Sequence, residues 1–376
     1  MKHVLWLCSV ALLVAGCGQP LTASPPPTVP APQPVAEGFS RSAMLDDIAN
    51  LVILPAYEQF TERTATLQEA ARTLSDAPTA ANLQATRQAW REAVLAWQPL
   101  RLFILDDIRR TLLHSGVNKW PTNTEFIEQF IAEEATLDAA LIAGAGSTSK
   151  GVPALEYLLF SPTGDDAAVL AALTNDPRRM QYVVALTQDL HTTALALQEA
   201  WTQPDEGYVI EFVSNDSGGA MMQSSVSELS NELVNALEML VQTRLGEPLG
   251  RANGGEPQPA LVEAPYSDAS VPAMLSLLHG FRATFTGGTG QGFDDYLDNL
   301  GVQAEAGPLS VRIVEQIDRT IAALEAIEQP LQVAVVEQPE QVTAAYDEAR
   351  ALLVLVKVDM AGALGVTLTF GDTDGD

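Results

Sequence analysis

The stretch "PEQVTAAYDEARALLVLVKVDMAGAL", Pro339 to Leu364, decides the fold class. Val342, Tyr346, Ala349, Leu353, Val356 and Met360 recur in near-heptad order, which lines one face of a helix and matches no strand period. The same intervals appear far upstream. Leu45, Ile48, Ala49 and Val52 keep the i, i+3, i+4, i+7 spacing, and Trp90, Ala93, Val94 and Trp97 repeat it. Pro99 should kink or break that second helix, because its ring clashes with the preceding turn and it has no N–H to donate. Further helices are expected over Pro177 to Trp201, Met222 to Leu245, Val271 to Phe285 and Leu309 to Glu328. In "PTNTEFIEQF" Thr122 is the expected N-cap, with Glu125 as its capping-box partner. The Gly- and Pro-rich connector "GEPLGRANGGEPQPALVEAPYSDAS" reads as a long ordered loop, and the tail "VTLTF" alone alternates like a strand. The chain is therefore expected to be all-α, with two helical bundles over residues 39–204 and 205–376 that join near "TQPDEG".

Ahead of the helices lies a segment that belongs to no fold. Lys2 and His3 precede the apolar run "VLWLCSVALLVAG", too short for a stable membrane span, so residues 1–16 read as a secretory signal peptide. Its end, "LVAGC", resembles the lipobox of bacterial lipoproteins and would make Cys17 the lipidated residue; an ordinary signal peptide with a chance cysteine is the alternative. Cys8 falls in the discarded part, so no free thiol would remain. Residues 17–38 are then a lipidated cysteine and a proline-rich tether, extended at roughly 3.1 Å per residue. The expected place is the cell envelope, extracytoplasmic and held to a membrane by that anchor; Gly18 is compatible with outer-membrane sorting. A formal net charge of −28 repels phosphate backbones, which argues against nucleic acid, and attracts cations.

Within this frame one side chain is out of place. Between Val152 and Phe160 in "KGVPALEYLLFSP" only Glu156 is not apolar or aromatic. A carboxylate in such a run must be ion-paired, hydrogen-bonded, metal-bound or protonated. Arg109 or Arg110 could pair with it, or a cation could occupy a cleft beside it. Asp359 follows Leu352, Leu355 and Val356 on one helical face and should point partly inward. The two acids could meet where the halves of the chain pack, or each could be satisfied separately. His279 and Arg282 in "LHGFRATF" stand one turn apart, suited to an anion or to a surface ion pair. His191 reads as a core histidine, and Glu228 with Glu232 as a solvated face. No P-loop, G-x-S-x-G, dinucleotide fingerprint, H-E-x-x-H or thiol nucleophile is present, and "GDTDGD" stops short of a calcium loop.

"GVPALEYLLF", "LSNELVNALEMLVQTRLGEPLG", "EAPYSDAS" and "LGVTLTFGDTDGD", in that order, resemble the imelysin-like proteins over nearly all of residues 40–376. The resemblance implies a double four-helix-bundle fold, a bacterial envelope location and a link to iron uptake. It also implies a G-x-H-x-x-E motif proposed to bind metal in members classed as metallopeptidases. Gly151 and Glu156 match that motif, whereas Pro153 stands at the histidine position and has no lone pair to offer. The expectation is a non-enzymatic binding protein for iron or another divalent cation, or for a small ligand. Its site would centre on Glu156, with Asp359, Arg109 and His279 as further candidates and Gly151 as a motif residue. An envelope metallopeptidase of the imelysin type is the alternative.

Overall fold

The computed structural model describes residues 39–133, 136–160, 165–204, 207–219, 221, 224–305 and 307–368. The signal peptide, Cys17, the tether and the closing "GDTDGD" lie outside these residues. Helix Arg41–Ile48 starts at Ser40, whose side chain accepts from the Ala43 N–H, and passes through a π-helical stretch, Ala49–Ile53, into α1 (Leu54–Asp76). Thr79 caps α2 (Ala80–Leu100) in the same way, its side chain accepting from the Asn82 N–H. Pro99 sits in the last turn of α2, and the chain tightens directly afterwards into a 3-10 turn, Arg101–Phe103, as proline chemistry requires.

The site helix α3 (Gly151–Leu159) follows, then α4 (Pro177–Thr202), α5 (Ser225–Met239), α6 (Ser270–Phe285), α7 (Leu309–Glu325) and α8 (Pro339–Val354). Pro177 occupies the first turn of α4, where a missing N–H costs nothing, and Asp176 caps it. α1 lies against α2 and α4, with α3 on α2 and α4. In the second half α7 packs on α8, which also meets α5. α6 touches both α2 and α7, so helices from the two halves share a seam. The seam is tight: a Cβ at Gly280 of α6 would stand 2.7 Å from the Pro99 Cβ. Trp90, Trp201, Tyr57 and Phe60 are fully buried, with Tyr57 and Trp201 rings 5.8 Å apart and Phe60 and Trp97 rings 5.3 Å apart. Among the described residues no helix is long and apolar enough to cross a membrane.

The all-α expectation holds, and three local expectations do not. The cap before "TEFIEQFIA" is Asn123, which accepts from the Phe126 N–H, while the Thr122 hydroxyl is buried without a hydrogen-bond partner among the described residues. No strand forms over the described part of "VTLTF"; the short antiparallel pair joins Gln303–Ala304 to Gly307–Pro308. The run from α8 onward turns π-helical over Leu355–Met360, so the buried stripe steps from Val356 to Met360 and leaves Asp359 exposed instead of inward.

Candidate functional site

α3 begins where few residues other than glycine could begin it. Gly151 has φ +73°, and a Cβ there would lie 2.2 Å from the Val117 carbonyl oxygen. That close approach lets the Val152 N–H donate to the same oxygen at 2.8 Å, and Trp90 Nε1 donates to the Val152 carbonyl at 2.9 Å. The helix is thereby anchored at its first turn, with Pro153 harmless just inside it. One turn further on, Glu156 is fully buried.

Neither Arg109 nor Arg110 reaches Glu156. Its Oε1 accepts from the backbone N–H groups of Tyr266 and Ser267, at 3.0 and 2.9 Å, and from the Ser267 hydroxyl at 2.6 Å. Its Oε2 has no partner among the described residues. Burial pushes the carboxyl up to about 7 against the pull of these donors, and the charge of Glu263 adds to the rise. Arg91 holds the next peptide group, with Nε and Nη2 donating to the Ser267 carbonyl at 3.4 and 3.3 Å. Its guanidinium also lies 5.0 Å from the Phe160 ring centre. Residues 266–267 are therefore gripped through their main chain from both sides. The grip lies between Ala264 and Asp268, which both take left-handed backbone conformations, φ 54° and 59°. The long connector is an ordered loop because α2 and α3 hold it.

Beside this clamp opens a cavity of about 580 Å³, between the start of α3, the connector and the end of the α5 helix. Glu156 does not line it; Pro153, Tyr157, Tyr266 and Trp120 do. Its charged groups come from distant parts of the chain. Glu263 Oε2 lies 2.8 Å from Arg244 Nε, and Glu263 Oε1 accepts from Asn118 Nδ2 at 2.9 Å, with Arg101 Nη1 at 3.6 Å. Arg244 is buried, and its Nη2 donates to Gln98 Oε1 at 2.7 Å. Burial pushes Glu263 up, but Arg244 and Arg101 outweigh it and hold the carboxyl below its ordinary value. Arg244 is pushed down to about 10, by burial first and by Arg101 second, and stays cationic at neutral pH.

The other expected residues stand elsewhere. Arg109 is half-exposed, ion-paired to the buried Glu232, and donates to the Ile104 carbonyl at 2.9 Å. His279 is exposed on α6, and Arg282 pairs with Asp318 at 3.1 Å. Asp359 lines a separate surface groove with Glu305 and Arg312. Glu228 is half-buried and accepts from the Tyr208 hydroxyl at 2.8 Å, so the pair expected on a solvated face is held inside. His191 Nδ1 is 3.1 Å from Thr64 Oγ1. Among the described residues no three His, Cys, Asp or Glu side chains converge as metal ligands. With Pro153 at the motif histidine, one Glu156 oxygen saturated and Glu263 tied to two arginines, these donors do not fit a resident metal.

Arg101, Asn118, Arg244, Glu263, Tyr266 and Ser267 escaped the sequence reading. Arg244 carried a weaker signal of the same kind as Glu156, the one charge in the run "MLVQTRLG". Glu263 and Ser267 sit in "EAPYSDAS", where nothing periodic marks them.

Comparison with known proteins agrees with this architecture. The chain is 26% identical over 250 residues to iron-regulated protein A of Synechococcus elongatus, a match covering 65% of this chain and 61% of that protein. Two crystal structures share the fold. An iron-regulated protein A precursor from Parabacteroides distasonis superposes with a TM-score of 0.68 at 17% identity, over 88% of this chain and 98% of that one. An imelysin-like protein from Psychrobacter arcticum gives 0.69 at 18% identity, over 88% and 97%. The family model for imelysin matches residues 53–356, most of the sequence, and the chain belongs to the imelysin family.

Proposed function

We propose that this protein is a lipid-anchored binding protein of the cell envelope that serves iron uptake without catalysing a reaction. The observation that carries the reading is the cavity beside α3, a hollow of about 580 Å³ with a few convergent charged groups under largely apolar walls. Its size suits a small molecule, and its groups come from both halves of the chain. The iron link is supported by the name of the Synechococcus relative, and the envelope location by the signal-like residues 1–16 and the lipobox-like approach to Cys17. Peptide hydrolysis by a metal would need three protein ligands and an open position, and Pro153 supplies none of the missing donors, which favours binding over hydrolysis.

Equilibrium dialysis of the purified chain against ferrous salt and soluble ferric chelates, followed by metal analysis, tests the binding role. Saturable retention of iron that Tyr157→Ala weakens supports it, and retention of no iron species removes it. For the anchor, radiolabelled palmitate should enter the wild type and not Cys17→Ala; equal labelling of both would overturn lipidation at this residue.

A further inference from the structure

Arg244 is 4% exposed, yet its Nη1 has no hydrogen-bond partner among the described residues. A buried guanidinium nitrogen left unsatisfied is unfavourable, and such a group calls for an acceptor. Arg101 stands beside it with a side chain 22% exposed. Its guanidinium makes the 3.6 Å ion pair to Glu263 and no side-chain hydrogen bond among the described residues. Two guanidinium groups thus share one carboxylate, and Asn118 already occupies part of that carboxylate. Of the groups lining the cavity, Arg101, Lys119 and Arg244 are cationic and Glu247 and Glu263 anionic. In a chain with a formal charge of −28 the hollow is a cationic exception.

We propose that the cavity takes a small anion through a carboxylate group, so that iron enters it as an anionic carboxylate chelate and not as the bare ion. The proposal rests on the iron-binding reading above and names its ligand class. A guanidinium fork matches a carboxylate in shape and charge, and both arginines have donors to spare. A bare cation would meet Arg101 and Arg244 on Glu263, the less exposed of the two carboxylates that line the cleft among the described residues. The rings of Trp120, Tyr157 and Tyr266 give the organic body of a chelate apolar walls.

Calorimetric titration of the full chain with citrate, ferric citrate, inorganic phosphate and ferrous ion, each alone, tests this. Citrate and ferric citrate should bind, and Arg101→Gln should weaken both by about tenfold or more, the loss of one charge-assisted contact. Arg101 is the variant of choice because it is partly exposed, and a thermal melt checks that it folds; Arg244→Gln is the stronger test where it folds. Ferrous ion binding that Arg101→Gln leaves unchanged, with no binding of citrate or ferric citrate, overturns the ligand class and leaves iron binding intact. Citrate binding with no iron species bound keeps the ligand class and removes the iron role. Phosphate binding in place of citrate, or no binding at all, overturns the proposal.

Discussion

At position 156 three donors meet one oxygen, while the other oxygen meets none among the described residues. The carboxyl rises from an ordinary 4.5 to about 7 because burial outweighs those donors. Between these two values the folded chain holds a proton that the unfolded chain has released. Stability contributed by this group is therefore present below about 4.5 and declines as pH rises to about 7, then stays level. A shift of this size corresponds to about 3 kcal/mol. Relative to Glu156→Gln, which cannot titrate, the wild type should lose about that much stability between pH 4.5 and 8. Urea melts of both proteins across this range measure it, and parallel curves would show that the carboxyl does not titrate there. Glu156 was legible in the sequence as an anomaly, because a lone acid in "VPALEYLLF" has no other reading. Its partners were not, because they lie 110 and 111 residues away and two of the three are backbone groups.

Elements form here for local reasons and end for mixed ones. The apolar periods located the helix Arg41–Ile48 together with α2, α4, α5, α6, α7 and α8, because 3.6-residue spacing is written in the side chains that pack. The π-helical stretches at Ala49–Ile53, Leu240–Gly246 and Leu355–Met360 were not legible, since a widened turn is set by packing and leaves no composition mark. One of them misplaced Asp359, and another presents Arg244 to the cleft. Likewise Thr122 and Asn123 are both good caps, and which one wins depends on where the chain arrives, here with the Asn123 N–H donating to the Thr148 carbonyl at 2.8 Å. The loop itself yields a prediction. Ser267→Ala removes the shortest of the three bonds to Glu156 and should speed amide exchange at Tyr266 and Ser267 by about tenfold, the loss of one charge-assisted bond. Exchange mass spectrometry on peptides spanning 260–270 reads this directly, and unchanged protection there would mean the hydroxyl contributes nothing to the clamp.

Over the whole molecule, helices from the two halves meet where α6 crosses α2. Gly280 permits the approach, with Pro99 Cα 3.0 Å and Cβ 2.7 Å from where a methyl would stand. Gly280→Ala should lower the melting temperature even though alanine favours the helix by about 1 kcal/mol, because overpacking a tight contact typically costs about 1–3 kcal/mol. A higher melting temperature would show that the seam has slack. Nothing in the sequence marked Gly280, since a glycine within a helical run reads as tolerated until its neighbour across the seam is known.

At Tyr266 the connector wall is held by an atom that every residue except proline possesses, the backbone N–H. Glu156 and Arg91 grip the amide and carbonyl groups of residues 266 and 267, while the Tyr266 side chain is left to face the hollow. Mechanical support and surface chemistry are thus assigned to separate atoms of one residue. Related chains could exchange the ring at 266 for other side chains and retune what the hollow admits, with the frame undisturbed. The same separation makes 266 a natural first position for re-engineering selectivity.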